Sequence, residues 1–292
     1  MGNNNSHWNV ANKRIKMNKY KNLHELFFTE LKNITYFGNK VKSNNNKQTE
    51  VLFRSFELID PTNINIEFSS RKFNINYAVM EFLWYISKNK NVKNIGKCAN
   101  IWLKIKDKNN EVESNYGTFL LGEQWDWIKK ELKNDKDSRR CTIVINQPYH
   151  KNKNKLDIPC TQYIQIFIRD NKLHLGVNMR SNDIIYGLCN DIFNFCLFQQ
   201  LILNELLEIY PDLKLGSYFH NAGSLHLYEI HYKMRDKILK NNKKLKLNKK
   251  FILKSKITCE YINTKNIYLP KKNMSKKELI IFTNNQIKKL FI

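Results

Sequence analysis

Within this chain of 292 residues, a few side chains have the type and setting that chemistry needs. Cys160 follows Pro159 at the start of the alternating run CTQYIQIFIR, and strand ends border clefts. A thiol placed there serves as a nucleophile if its pKa is lowered, most simply by nearby arginines. Against that stands the base rate, which makes a single cysteine more often buried than catalytic. Glu81 is alone inside the apolar run Tyr77 to Ile86. A carboxyl so placed must be paired, hydrogen-bonded or protonated, which points to proton handling rather than to a solvated helix edge. Arg139 and Arg140 in "DSRR" could fork onto a phosphate, although a solvated loop is the equally ordinary reading. Arg180 and Ser181 offer a cation and a hydroxyl near the start of the Cys160 strand, also suited to phosphate. His226 and Tyr228 could hold a sugar hydroxyl, with packing of an aromatic pair as the competing view. Asp191 opens a long apolar stretch, where aspartate is favoured as a cap and by the helix dipole. Asn190 could cap equally well, leaving one of the two free to face a ligand.

Local patterns predict the elements that must carry these groups. Residues 51–59 read as a strand, 76–88 as a helix apolar all round, and 125–132 as an amphipathic helix. The run CTIVIN (141–146) reads as a strand, and 160–169 with 173–180 as a hairpin about the turn DNK. A long buried helix is expected from Asp191 to Tyr210, stopped by Pro211. Ser224 to Leu239 is a third helix candidate, with Ser224 as its cap. Residues 245–269 alternate weakly, and 274–292 are helical or frayed. Residues 1–50 are polar without a sustained period and read as an N-terminal extension. Residues 51–240 then form the catalytic domain, and 241–292 are a basic segment of the same domain. The fold class is α+β, a large mixed sheet packed by long helices.

Bulk composition narrows the function classes. No stretch of about 18 apolar residues suggests a membrane span, and no apolar signal core follows Met1, so a cytoplasmic protein is expected. Gly2 and Ser6 match a loose myristoylation pattern, a cheap match in an Asn-rich chain. Six scattered cysteines without a CxxC pair argue against structural zinc and against a disulfide framework. The formal charge of +24 first suggests nucleic acid. However, residues 235–292 hold 17 Lys/Arg against 3 Asp/Glu and residues 1–50 hold 9 against 3, leaving 24 against 20 between them. The excess sits in Asn- and Ile-rich ends, as a coding bias would leave it. A basic nucleic-acid-binding protein is therefore the less favoured alternative.

In order along the chain, EFLWY (81–85), IW (101–102), SNYG (114–117), DSRR (137–140), PC (159–160), RSND (180–183), Gly187 and GSLHLY (223–228) resemble the thymidylate synthase superfamily. They span roughly Tyr77 to Tyr232. The likeness is closer to phage deoxycytidylate hydroxymethylases, through SNYG, CTQY, IRDNK, VNMRSND and GSLHLY. Thr161 follows the nucleophile where the synthases usually carry His, and Met179 precedes the arginine where they carry Gln. Asp191 stands in place of the synthase asparagine that reads uracil. A carboxylate accepts from the cytosine N4 amino group but opposes uracil O4, and a mispaired buried polar group discriminates by up to about 10⁵-fold.

The resemblance implies a homodimer that converts dCMP, methylenetetrahydrofolate and water to 5-hydroxymethyl-dCMP and tetrahydrofolate, without a metal. It makes Cys160 the nucleophile at C6, Glu81 the proton carrier, and Asp191 the reader of the base. Arg180 and Ser181 would hold the 5′-phosphate, joined by Arg139 and Arg140 of the second subunit. His226 and Tyr228 would bind the 3′-hydroxyl, and Trp102, Asp183 and Gly187 the folate. Lys47 or Arg54 would replace the family's N-terminal phosphate arginine. A dCMP methylase that finishes with hydride, or a synthase acting on dUMP, shares the fold.

Overall fold

The computed structural model describes residues 18–43, 45–151, 156–240 and 250–292. Gly2 and most of the basic run after Lys240 lie outside them. One mixed sheet organises the rest, in the order β1-β3-β8-β6-β5-β4, with β2 beside β3 and β7 beside β8. β1 (Asn18–Tyr20) runs parallel to β3 (Asn46–Leu58), while β2 (Asn39–Ser43) forms a hairpin with it. β4 (Thr142–Val144) and β5 (Thr161–Arg169) lie toward the other edge. β5 and β6 (Lys172–Met179) form the expected hairpin, closed by Asp170 and Asn171, both at positive φ. Such a two-residue turn matches the twist of the strands it joins. Their burial alternates residue by residue, so Ile164, Ile166, Leu175 and Val177 face the core.

That core is covered by α1 (Leu23–Phe37), α2 (Ile75–Ile86) and α6 (Gly187–Leu206). α2 begins at Asn74, whose side chain accepts from Tyr77 N at 3.0 Å, and it buries every residue from Ala78 to Ile86. Between α2 and β4 come α3 (Ile101–Ile105), α4 (Gly117–Leu120) and α5 (Glu123–Asn134). Phe193, Phe195 and Phe198 anchor α6 in the core, and its buried amides bind irregular backbone. Gln199 Nε2 donates to Leu173 O and Gly216 O, where the pairing of β6 with β8 (Lys214–Tyr228) shifts register. Gln200 and Asn204 bind the backbone of residues 251–257, so the C-terminal segment is fastened along α6.

Three expectations need correction. Residues 224–228 are not a helix start but the end of the 15-residue β8, which pairs with β3, β6 and β7 (Asn182–Asp183). Only after a 3₁₀ turn does α7 (Tyr232–Lys240) begin. Ser224 accordingly caps nothing; its hydroxyl donates to Glu50 at 2.6 Å. Residues 23–34 do carry a helical period, since Leu23, Leu26, Phe27, Leu31 and Ile34 are all buried on one face of α1. Elements of residues 18–58 thus share one sheet and core with the rest. Finally, α6 starts at Gly187, four residues before the expected Asp191. The C-terminal region forms α8 (Cys259–Thr264) and α9 (Lys276–Leu290), the latter opened by a capping box of Ser275 and Glu278.

Candidate active site

A cavity of about 690 Å³ opens where α2, α6 and the ends of β6, β7 and β8 converge. Glu81, Cys160, Asp191, Ser181, His226 and Tyr228 all face it, as do Trp102, Asp183 and Gly187. Nine of the twelve residues singled out by sequence therefore share one cavity, although they span 148 positions from Glu81 to Tyr228. Arg139, Arg140 and Arg180 do not line it.

One wall is a chain of hydrogen bonds ending on a carboxyl. Trp102 Nε1 donates to Tyr77 Oη at 2.9 Å, and Tyr77 Oη donates to Glu81 Oε1 at 2.6 Å. Asn194 Nδ2 donates to Glu81 Oε2 at 2.9 Å. Burial raises the Glu81 pKa to about 8 against these bonds, and the Asp191 charge adds to the rise. Asp191 accepts from Asn182 Nδ2 at 2.7 Å, yet burial and the Asp183 charge bring it to about 7. Two carboxyls that titrate near neutrality in one cavity suit acid–base work.

Cys160 meets these carboxyls with its thiol protonated. Burial pushes its pKa to about 11; Arg180 pulls it down, while Asp191 and Asp157 push it up. Arginine alone therefore does not lower the thiol below its ordinary range, contrary to the sequence expectation. Arg180 instead fastens the loop before the thiol, donating to Ile158 O at 2.9 Å and to Pro159 O at 3.3 Å. Asp157 ties the same loop to the SNYG turn by accepting from Ser114 N and Ser114 Oγ, both at 2.7 Å. In that turn Gly117 permits a close approach, because a Cβ there would lie 1.7 Å from Tyr85 O.

Two buried side-chain nitrogens face the cavity with no hydrogen-bond partner among the described residues. His226 Nε2 lies beside Tyr228, its ring edge-on at 4.8 Å. Arg71 Nη2 is the other; its guanidinium stacks 4.6 Å over Tyr186, and its Nε donates to Ile185 O. Buried polar groups without partners are costly, so both positions favour a polar ligand. Arg139 and Arg140 are exposed on their loop, with Arg140 3.7 Å from Glu131. Neither candidate for a further phosphate ligand lines the cavity. Arg54 is paired with buried Glu30 at 2.7 Å, and Lys47 lies 3.9 Å from Glu229.

The capping reading of Asp191 fails, because α6 already begins at Gly187. Asp183 takes the role nearest to a cap, accepting from Ile185 N at 3.2 Å and Tyr186 N at 2.9 Å. Sequence reasoning passed over Tyr77, Arg71, Asn182 and Tyr116. For Tyr77 a signal existed in its position four residues before Glu81, one helical turn. Tyr116, stacked on Tyr85 at 5.2 Å, faces the cavity within the quoted SNYG. Among the described residues, no group of three or more His, Cys, Asp or Glu is placed to hold a metal ion, and no helix is long and apolar enough to cross a membrane.

Comparison with known proteins gives concordant matches. The family model for thymidylate synthase matches residues 25–277. Deoxycytidylate 5-hydroxymethyltransferase of Enterobacteria phage T4 is 33% identical over 205 residues, covering 65% of this chain and 79% of that protein. Thymidylate synthase of Mycoplasma genitalium is 28% identical over 229 residues, covering 66% and 77%. Among solved structures, thermostable thymidylate synthase A from Bacillus subtilis aligns with a TM-score of 0.59 at 21% identity. It covers 74% of this chain and 84% of that one, a likeness of fold.

Proposed function

The chain belongs to the thymidylate synthase family, and we propose that within it the reaction is folate-dependent C5 hydroxymethylation of dCMP. The observation that carries the reading is Asp191, a carboxyl held by Asn182 on the wall of the cavity that Cys160 faces. Its oxygens accept from the cytosine N4 amino group and favour a proton at N3 as charge develops in the ring, whereas uracil O4 meets a repulsive lone pair. The 33% identity to a deoxycytidylate 5-hydroxymethyltransferase supports the same choice.

In this reading Cys160 Sγ bonds to C6 of the pyrimidine, and its proton passes to a neighbouring carboxylate. Base binding aids that step, since pairing the Asp191 charge relieves one of the influences that hold the thiol protonated. Arg180 and Ser181 hold the 5′-phosphate, and the free Nε2 of His226 with Tyr228 takes the 3′-hydroxyl. Glu81, titrating near neutrality, moves protons at the ring and orients the water that completes the hydroxymethyl group.

The cavity also fits methylenetetrahydrofolate, which when bound supplies a one-carbon unit. Trp102 would offer its ring face, because its N–H is already given to Tyr77. Asp183 and the space over Gly187 would adjoin the pterin, and the unpartnered Nη2 of Arg71 suits a ligand carboxylate. Arg139 and Arg140, exposed and absent from the lining of their own cavity, would complete the phosphate site of a second subunit.

Product analysis tests the proposal. Protein given dCMP and methylenetetrahydrofolate should release tetrahydrofolate and yield 5-hydroxymethyl-dCMP by mass spectrometry. Dihydrofolate with 5-methyl-dCMP would select the methylase, and turnover of dUMP alone would select a synthase. Cys160→Ala should abolish turnover while dCMP still binds.

A further inference from the structure

Behind Asp191, three wholly buried polar side chains lead away from the cavity into the sheet. Asn182 is 2% exposed, and His220 and Tyr218 are 0% exposed. Tyr218 Oη lies 2.9 Å from His220 Nδ1, and His220 Nε2 lies 3.0 Å from Asn182 Oδ1. Asn182 Nδ2 then donates to Asp191 Oδ2 at 2.7 Å. Phe56 stacks on the imidazole at 5.1 Å and 7°, which fixes the ring plane.

The hydrogens in this chain can run in only one satisfying direction. Burial keeps the Tyr218 hydroxyl protonated and His220 neutral, its pKa lowered to about 3. The tyrosine has no other acceptor among the described residues, so its hydrogen must go to Nδ1. A neutral imidazole then carries its hydrogen on Nε2 and donates to Asn182 Oδ1. That leaves the amide N–H toward Asp191. Reversal would strand the tyrosine hydrogen and set the amide oxygen against a carboxylate, both costly in a dry interior.

We propose that Tyr218, His220 and Asn182 form a relay of fixed polarity that positions Asp191 as a hydrogen-bond acceptor and so sets which pyrimidine the cavity takes. The relay rests on the dCMP reading for its consequence, but not for its own existence. Gly187 belongs to the same device, since a Cβ there would come within 3.2 Å of Asn182 Nδ2 and 3.5 Å of Asp191 Oδ2. The Asp191 charge in turn raises the pKa of the acids packed around it: Tyr77, Glu81 and Tyr85 of α2, Tyr116, Cys160 and Tyr218, with Cys189 on its own helix. These groups hold their protons more tightly than Asp191 does, so the charge that opposes its ionisation is that of Asp183. Asn182 provides the one side-chain hydrogen bond found to favour its charged form.

Two measurements on the full chain test the relay. In nucleotide-free protein labelled with ¹³C at aspartate carboxyls, the Asp191 titration should move up by about one pH unit or more in Tyr218→Phe and His220→Leu. His220→Gln, whose amide N–H can donate in place of Nε2, should restore the wild-type midpoint. The ratio of kcat/KM for dCMP over dUMP should fall at least about tenfold in the first two variants and recover in the third. Tyr218→Phe removes a single oxygen and should fold, with its melting temperature as the check. An unmoved titration and ratio in the folded Tyr218→Phe protein would overturn the relay, whatever happens to stability. Wild-type preference for dUMP would instead overturn the base assignment, while the shifted titration would still uphold the relay.

Discussion

Glu81 and Asp191 occupy one low-dielectric wall, and each holds a proton more tightly than an exposed carboxyl would. The pH dependence follows from the sign of the Glu81 shift. Its folded pKa is about 8 against an ordinary 4.5, so the native state binds the extra proton between those values. Stability from this group is fully present below about pH 4.5 and is lost as pH rises toward 8. Glu81→Gln cannot titrate, so its melting temperature should gain on wild type between pH 5 and pH 9, read by thermal scans across that range. Turnover should fall about 100-fold or more in the same variant; a parallel pair of stability curves would show that Glu81 ionises freely. Glu81 was legible in the sequence because a lone carboxyl in an apolar run is conspicuous. Asn182 and Arg71 were not, because an amide and a surface-type cation acquire meaning only from partners as distant as the 114 residues between Arg71 and Ile185.

Elements rather than single side chains decide how closely those groups approach. Gly187 opens α6, and Gly117 opens α4 against the end of α2, yet an added methyl should act very differently at the two. At Gly187 the new Cβ meets only side-chain atoms at 3.2 Å and beyond, while alanine favours the helix by about 1 kcal/mol. Gly187→Ala should therefore keep its melting temperature and raise KM for dCMP by displacing the Asn182–Asp191 contact. At Gly117 the Cβ would enter the Tyr85 carbonyl, so Gly117→Ala should cost about 3 kcal/mol and lower the melting temperature whether or not nucleotide is present. Thermal unfolding beside steady-state kinetics separates the two effects. The β5–β6 hairpin was readable because its turn and alternation are local. β8 was not: its identity comes from β3, β6 and β7, all far away in sequence, and GSLHLYEIHY satisfies a helical spacing as well as a period of two.

At the scale of the whole molecule, one face of the sheet packs against α6 and the other is left partly open. On that open face Tyr163 of β5 is 37% exposed, and at mid-strand in β3 the successive Leu52 and Phe53 are 56% and 85% exposed, Phe53 at positive φ. Such a surface suits a symmetric partner, because a two-fold contact would bury the same apolar residues from both copies. The charge of the tails, by contrast, said little about the site; the cavity draws on residues 71–231 and on neither basic end. If a dimer shares its sites, Arg139 and Arg140 serve the cavity of the other copy, and each cavity then needs both chains. Cys160→Ala protein and an Arg139→Ala, Arg140→Ala double variant should each be nearly inactive alone. Unfolded together and refolded at equal amounts, half the dimers would be mixed, and each mixed dimer would hold one cavity with an intact thiol and intact arginines. Activity should return to about a quarter of wild type, the fraction expected from random pairing about a two-fold axis. No recovery, with mixed dimers verified by mass spectrometry, would place the two arginines outside the partner's site and leave phosphate binding to Arg180 and Ser181.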